Sequence, residues 1–160
     1  MPRYQSTNCT CMLLYREEGE TCETLLQLRQ NTGYMDGYYD LAASGHLEPG
    51  ESLLDCAIRE TKEETGITLY PENVKLVFIN HQYEESYVRM VFAAELPRGS
   101  SPKICEPDKN GGFLWAKPDQ LPDNVRPFIP KMFEAMKAGL NYDDQSFTNL
   151  ARNSPYLNKT

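Results

Sequence analysis

A chain of 160 residues with 40% hydrophobic and 24% charged residues is long enough to bury one core and too apolar for wholesale disorder. A net charge of −7, with no local cluster of Lys and Arg, argues against a surface for a nucleic-acid polymer, which rests on a basic patch. It does not exclude a small polyphosphate whose charge is met by metal ions.

Other classes fall away on similar grounds. No stretch approaches the roughly 20 apolar residues needed to span a bilayer. The segment Met1 to Asn8 lacks the apolar run of a signal peptide, so a cytoplasmic protein is expected. The five cysteines are odd in number and form no C-x-x-C pair, which suits free, mostly buried thiols in a reducing compartment.

In chain order, Cys9 to Tyr15 and Cys22 to Leu28 read as strands joined by the polar turn Arg16 to Glu20. A Gly-containing loop, Asn31 to Gly37, leads to a short strand, Tyr38 to Ala43, that runs into Ser44-Gly45. The clearest helix follows Pro49-Gly50-Glu51, with Ser52 as its N-cap and Leu54, Ala57, Ile58 and Thr61 as its inward stripe. Gly66 stands where a left-handed C-terminal cap belongs. Val74 to His81 and Tyr87 to Glu95 are the most strand-like segments. A Pro/Gly/Ser-rich loop, a short strand Phe113 to Ala116 and an amphipathic helix Phe128 to Leu140 complete the pattern. Strands on both sides of a central helix predict an α/β fold, a mixed sheet packed between helices, in one domain over residues 1–140. Residues 141–160 read as a polar, irregular and partly mobile tail.

The informative segment is 45–67. Glu60, Glu63 and Glu64 are three and four positions apart, so a helix puts them on one face within a single turn, where like charges repel. A solvated acidic face is the ordinary fate of such a triplet. Here, however, Gly45, Glu51, Arg59, Glu60, Glu63, Glu64 and Gly66 match G-x5-E-x7-R-E-x-x-E-E-x-G at all seven fixed positions. With residue frequencies near one in 15, such a match arises by chance in roughly one chain per million.

This spacing resembles the signature of the Nudix hydrolases, and of their MutT-like subgroup in particular, with weaker agreement over residues 9–140. The resemblance implies an α/β/α sandwich that binds Mg2+, with Mn2+ as a substitute, through Glu60, Glu63 and Glu64. It further implies a supporting Glu51–Arg59 ion pair, tight turns at Gly45 and Gly66, and a metal contact from the Ser44 carbonyl. Glu106, in the loop ahead of the last strand, resembles the distant glutamate that MutT-like enzymes add to the metal site, with Asp108 as its substitute. The general base is expected to be Glu60, then Glu106, then Glu63. Two departures stand out: Thr61 where an aliphatic residue is common, and Ala43-Ser44-Gly45 where Pro-Gly-Gly is common.

The resemblance implies a hydrolase that cuts the diphosphate linkage of a nucleoside triphosphate, an oxidised or non-standard one such as 8-oxo-dGTP included, to monophosphate and pyrophosphate. An ADP-ribose-type pyrophosphatase is the runner-up, and a non-catalytic nucleotide-sensing module is the rival of another class. The partner is a small nucleotide, with no membrane, and a homodimer is left open. Arg29 is a candidate for phosphate or base, and Asn124 for reading a base edge, although Asn124 also fits an ordinary turn cap. Tyr83, Tyr87, Phe78 and Trp115 are candidates for stacking or for the core.

Overall fold

The computed structural model describes residues 1–144. Its centre is strand β1 (Thr7–Glu18), whose run CTCMLL is buried on both faces. Cys9, Cys11 and Leu13 point to one side of the sheet, and Met12 and Leu14 to the other. A strand so buried reads as an unbroken apolar run rather than an alternation, which is why its sequence shows little period of two. Strand β2 (Thr21–Arg29) pairs antiparallel with β1, and the expected five-residue turn shrinks to Gly19-Glu20. The two strands extend because Arg16 and Glu23 are cross-strand partners and ion-pair at 3.0 Å.

The expected strand from Tyr38 to Ala43 is two strands. β3 (Tyr39–Leu41) pairs with β2, whereas β4 (Ala43–His46) pairs with β1. The chain changes partner at Ala42, so one continuous strand is impossible. After helix α1 (Leu53–Thr65), strands β5 (Lys75–Gln82) and β6 (Tyr87–Glu95) form an antiparallel pair, and β6 runs parallel to β1. Strand β7 (Asn110–Ala116) joins β2, and helix α2 (Phe128–Lys137) follows. A last strand, β8 (Tyr142–Asp144), lies parallel to β5, so the sheet runs past the boundary expected at residue 140. The mobility expected of the tail beyond residue 144 lies outside the described residues. The sheet order is β3-β2-β1-β6-β5-β8, with β4 beside β1 and β7 beside β2.

The helices cover opposite faces. Phe128, Ile129, Met132 and Ala135 of α2 pack with Cys9, Cys11 and Leu13, and Ala57 of α1 packs with Met12 and Leu14. This is the α/β sandwich with a mixed sheet that the pattern of elements predicts. Each fully buried Leu on these faces contributes on the order of 2 kcal/mol by leaving water. No described helix is long and apolar enough to cross a membrane.

Helix α1 begins where the Ser52 hydroxyl accepts from the Asp55 N–H at 3.0 Å, a cap that contributes about 1 kcal/mol. It ends at Gly66, whose φ of 74° is left-handed. The unusual Thr61 is fully buried, and its hydroxyl donates to the Ala57 carbonyl one turn back at 2.7 Å. The polar atom that replaces an aliphatic branch is therefore satisfied within the helix.

Candidate active site

The signature residues come together where β4 meets α1. Gly45 lies in β4, against the helix turn that carries Glu60. A Cβ at Gly45 would overlap the carboxylate of Glu60, so only glycine lets this side chain lie against the strand. Arg59 organises the surroundings. Its Nε and Nη2 donate to the two oxygens of Glu51 at 2.6 and 3.1 Å, a bidentate fork that confirms the expected ion pair. Its Nη1 donates to Glu60 at 2.8 Å and to Glu63 at 3.2 Å. The guanidinium holds the Glu51 carboxyl well down, at about 2.

The three helical glutamates differ in environment. Glu64 is the most enclosed: its Oε2 accepts from the Ser44 N–H at 2.7 Å. Burial pushes its carboxyl up to about 8, against the pull of that N–H, and the charges of Glu60 and Glu106 add to the rise. Glu60 is also shifted upward by burial, with Arg59 opposing and Glu63 and Glu106 reinforcing. Glu63 is half exposed and turned to Arg59. Among the described residues no three acidic, imidazole or thiol groups stand ready around one point. The expected convergence of all three carboxylates on one patch is thus incomplete. Carboxylates that repel one another settle on the nearest guanidinium, and Arg59 takes two of them.

The donor set nevertheless fits a hard cation. Glu60 and Glu64 are carboxylates crowded with Glu106 into a poorly hydrated space, and each is destabilised as an anion by that crowding. A divalent ion with oxygen ligands relieves the repulsion. Glu60, Glu63, Glu64, Glu106 and the Ser44 carbonyl are the residues that would hold it.

Beside these carboxylates opens a cleft of about 580 Å3, bounded by Ser44, Gly45, Glu64 and Glu106 together with Arg29, Arg89, Lys109 and Arg126. The sequence has no local basic cluster, yet the fold gathers four cations from β2, β6, the loop before β7 and the turn before α2. Arg29 lies in this cleft but is already bound: Nη1 donates to Asp40 at 3.2 Å and Nε to the Tyr34 carbonyl at 2.9 Å. Arg126 shares the same Asp40 oxygen at 2.7 Å. Asn124 is not among the cleft residues. Its amide donates to the Gly37 carbonyl at 2.9 Å, and its own carbonyl accepts from the Tyr39 N–H. In this structure it serves as a turn residue. Of the aromatic candidates, Tyr87 borders the cleft, Phe78 is buried in the core, and Trp115 lies under Arg16 at 4.3 Å.

Sequence reasoning missed Asp40, Arg89, Asn110 and Arg126. The available signal was a charge inside an apolar strand, as with Asp40 between Tyr39 and Leu41 or Arg89 in YVRMVFAAE. Such a charge is expensive to bury unless it has a task.

The NUDIX domain family model matches residues 6–136. The chain is 28% identical over 116 residues to the uncharacterized Nudix hydrolase YfcD of Shigella flexneri, a match covering 70% of this chain and 61% of that one. It is 25% identical over 114 residues to the nucleoside triphosphatase NudI of Salmonella typhimurium, covering 65% and 79%. In structure, the MutT protein of Methanosarcina mazei superposes with a TM-score of 0.68 at 22% identity, covering 87% of this chain and 98% of that one. Four of the curated relatives are longer proteins, of which the chain spans 33% to 61%. Since the family model takes in strands β1 to β7, helix α1 and all but the last residue of α2, with the glutamate signature among them, this chain belongs to the Nudix hydrolase family.

Proposed function

We propose that the chain is a divalent-metal-dependent pyrophosphohydrolase of nucleoside triphosphates, non-standard ones included, that releases a monophosphate and pyrophosphate. The observation that carries this reading is the shared cleft, in which Glu64 and Glu106 stand together with four cationic side chains. An ion bound by the carboxylates supplies positive charge to phosphate oxygens and acidifies water. The remaining work falls to the chain. Glu60 takes the proton of the attacking water, with Glu106 and then Glu63 as the alternatives. Arg59 keeps Glu60 in place from behind, through Nη1. Arg29 and Lys109 line the path of the phosphates. A purely nucleotide-sensing role is disfavoured, since no motif carboxylate is missing.

The test is a panel of nucleoside triphosphates, 8-oxo-dGTP, ADP-ribose and dinucleoside polyphosphates with Mg2+ or Mn2+, products resolved by chromatography. Triphosphates are expected to yield monophosphate and pyrophosphate, with Glu64→Gln at least a hundredfold slower and Asn124→Ala unchanged in base preference. Turnover of ADP-ribose alone would transfer the assignment to the diphosphate-linked class, and tight binding without turnover would move it to a sensor.

A further inference from the structure

Aromatic side chains border the cleft at Tyr34 and Tyr87. Tyr87 is closed in, with the His46 ring edge-on at 6.3 Å and the Arg89 guanidinium 5.2 Å from its centre. Tyr34, in the loop between β2 and β3, is 54% exposed. A single exposed aromatic residue is ordinary on a protein surface. What sets Tyr34 apart is where it stands and how firmly it is held.

The Asp36 carboxylate accepts from the N–H groups of Thr32 and Gly33, both at 3.0 Å. The Tyr34 carbonyl accepts from Arg29 Nε at 2.9 Å, and the Tyr34 N–H donates to the Thr32 hydroxyl at 3.2 Å. These bonds fix the loop through the backbone of Tyr34 and leave its side chain out. The start of the loop is tied to the segment that carries Glu106. The Gln30 N–H donates to the Lys109 carbonyl at 3.0 Å, and the Gln30 and Asn31 amides donate to the carbonyls of Pro107 and Asp108 at 2.8 and 2.9 Å. The Tyr34 loop therefore runs beside the Glu106 loop, along the same cleft.

The guanidiniums of Arg29 and Arg126 lie 5.9 and 5.4 Å from the centre of the Tyr34 ring. Both donate to one oxygen of the buried Asp40, at 3.2 and 2.7 Å. A ring sandwiched between two guanidiniums would hold them too far apart to share that atom. The cations thus lie together on one side of the ring, and its exposure belongs to the opposite face.

We propose that Tyr34 is a specificity-determining residue, the platform on which the planar base of the nucleotide stacks. This rests on the reading of the chain as a nucleotide hydrolase. A ring already held in place loses little freedom when a base covers it, and a hydrated phosphate gains nothing from its apolar face. Every base has a flat face, so such a contact favours nucleotides over base-free phosphates without choosing among bases.

The deciding experiment titrates adenosine monophosphate and ribose 5-phosphate calorimetrically into the wild-type protein, Tyr34→Ala and Tyr34→Phe, with hydrolysis of adenosine triphosphate followed alongside. Tyr34→Ala is expected to weaken adenosine monophosphate by about five- to hundredfold and ribose 5-phosphate by less than about twofold. Tyr34→Phe keeps the ring and is expected to bind both as the wild type does. Unchanged binding of adenosine monophosphate in Tyr34→Ala, or none in the wild type, would overturn the inference. So would an equal loss of both ligands, the mark of a disturbed Arg29 or loop, and so would a loss in Tyr34→Phe as large as in Tyr34→Ala. If no triphosphate is turned over, the proposed reaction fails, while the monophosphate comparison still decides the stacking. Equal melting temperatures of the three proteins check that the loop survives the substitutions.

Discussion

At Gly45 the requirement for glycine comes from its neighbour. Its φ is not left-handed, so alanine fits the backbone, but the added Cβ would occupy the space of the Glu60 carboxylate. Gly45→Ala is therefore expected to leave the melting temperature within about 2 °C of wild type and to lower hydrolysis at least tenfold, since Glu60 must swing away. Thermal unfolding and steady-state kinetics on one preparation separate the two effects; full activity would show that the close packing of β4 on Glu60 is dispensable. The signature residues Glu51, Arg59, Glu60 and Gly66 were legible in the sequence because they lie within one loop and one helix, where spacing converts directly into geometry. Asp40, Arg89, Asn110 and Arg126 were not. They come from four separate segments: the strand pairings bring Arg89 and Asn110 to the cleft, and the Tyr39–Val125 bridge brings Arg126, which holds the buried Asp40.

Strands β1, β2, β5 and β6 were readable because each is a long apolar segment, and α1 because cap, stripe and terminal glycine agree. What was not readable was partner choice. Tyr39–Leu41 and Ala43–His46 are continuous in sequence but two strands in space, and Tyr142–Asp144 is too short and polar to announce itself. Strand β8 carries an unusual residue. Asp143 is buried against β5, neither side-chain oxygen has a side-chain partner among the described residues, and burial together with the neighbouring Asp144 charge raises its carboxyl to about 6. The folded state thus holds this proton more tightly than the unfolded chain does. The contribution is fully present below pH about 4 and is lost as the pH rises through about 6. Asp143→Asn cannot ionise, so it is expected to raise the melting temperature by a few degrees at pH 8 and to leave it unchanged at pH 4. Unfolding scans at both pH values check this; an equal shift at both would mean that the acid is not what destabilises the strand.

The whole molecule carries a net charge of −7, yet its cleft collects four cationic side chains beside the carboxylates of Glu64 and Glu106. An acidic protein is repelled by an anionic substrate at a distance and attracts it only at this site. The local charge of the cleft, more than the total, is what suits the protein to a small polyphosphate. On the acidic side everything depends on the helical glutamates accepting a divalent ion while Arg59 holds Glu60 and Glu63. Electron paramagnetic resonance of Mn2+ titrated into wild-type protein and into Glu64→Gln measures that step without any substrate. The account predicts saturable Mn2+ binding in the wild type, weakened at least tenfold in Glu64→Gln and displaced by Mg2+. Equal Mn2+ binding by the two proteins, or none by the wild type, would contradict it.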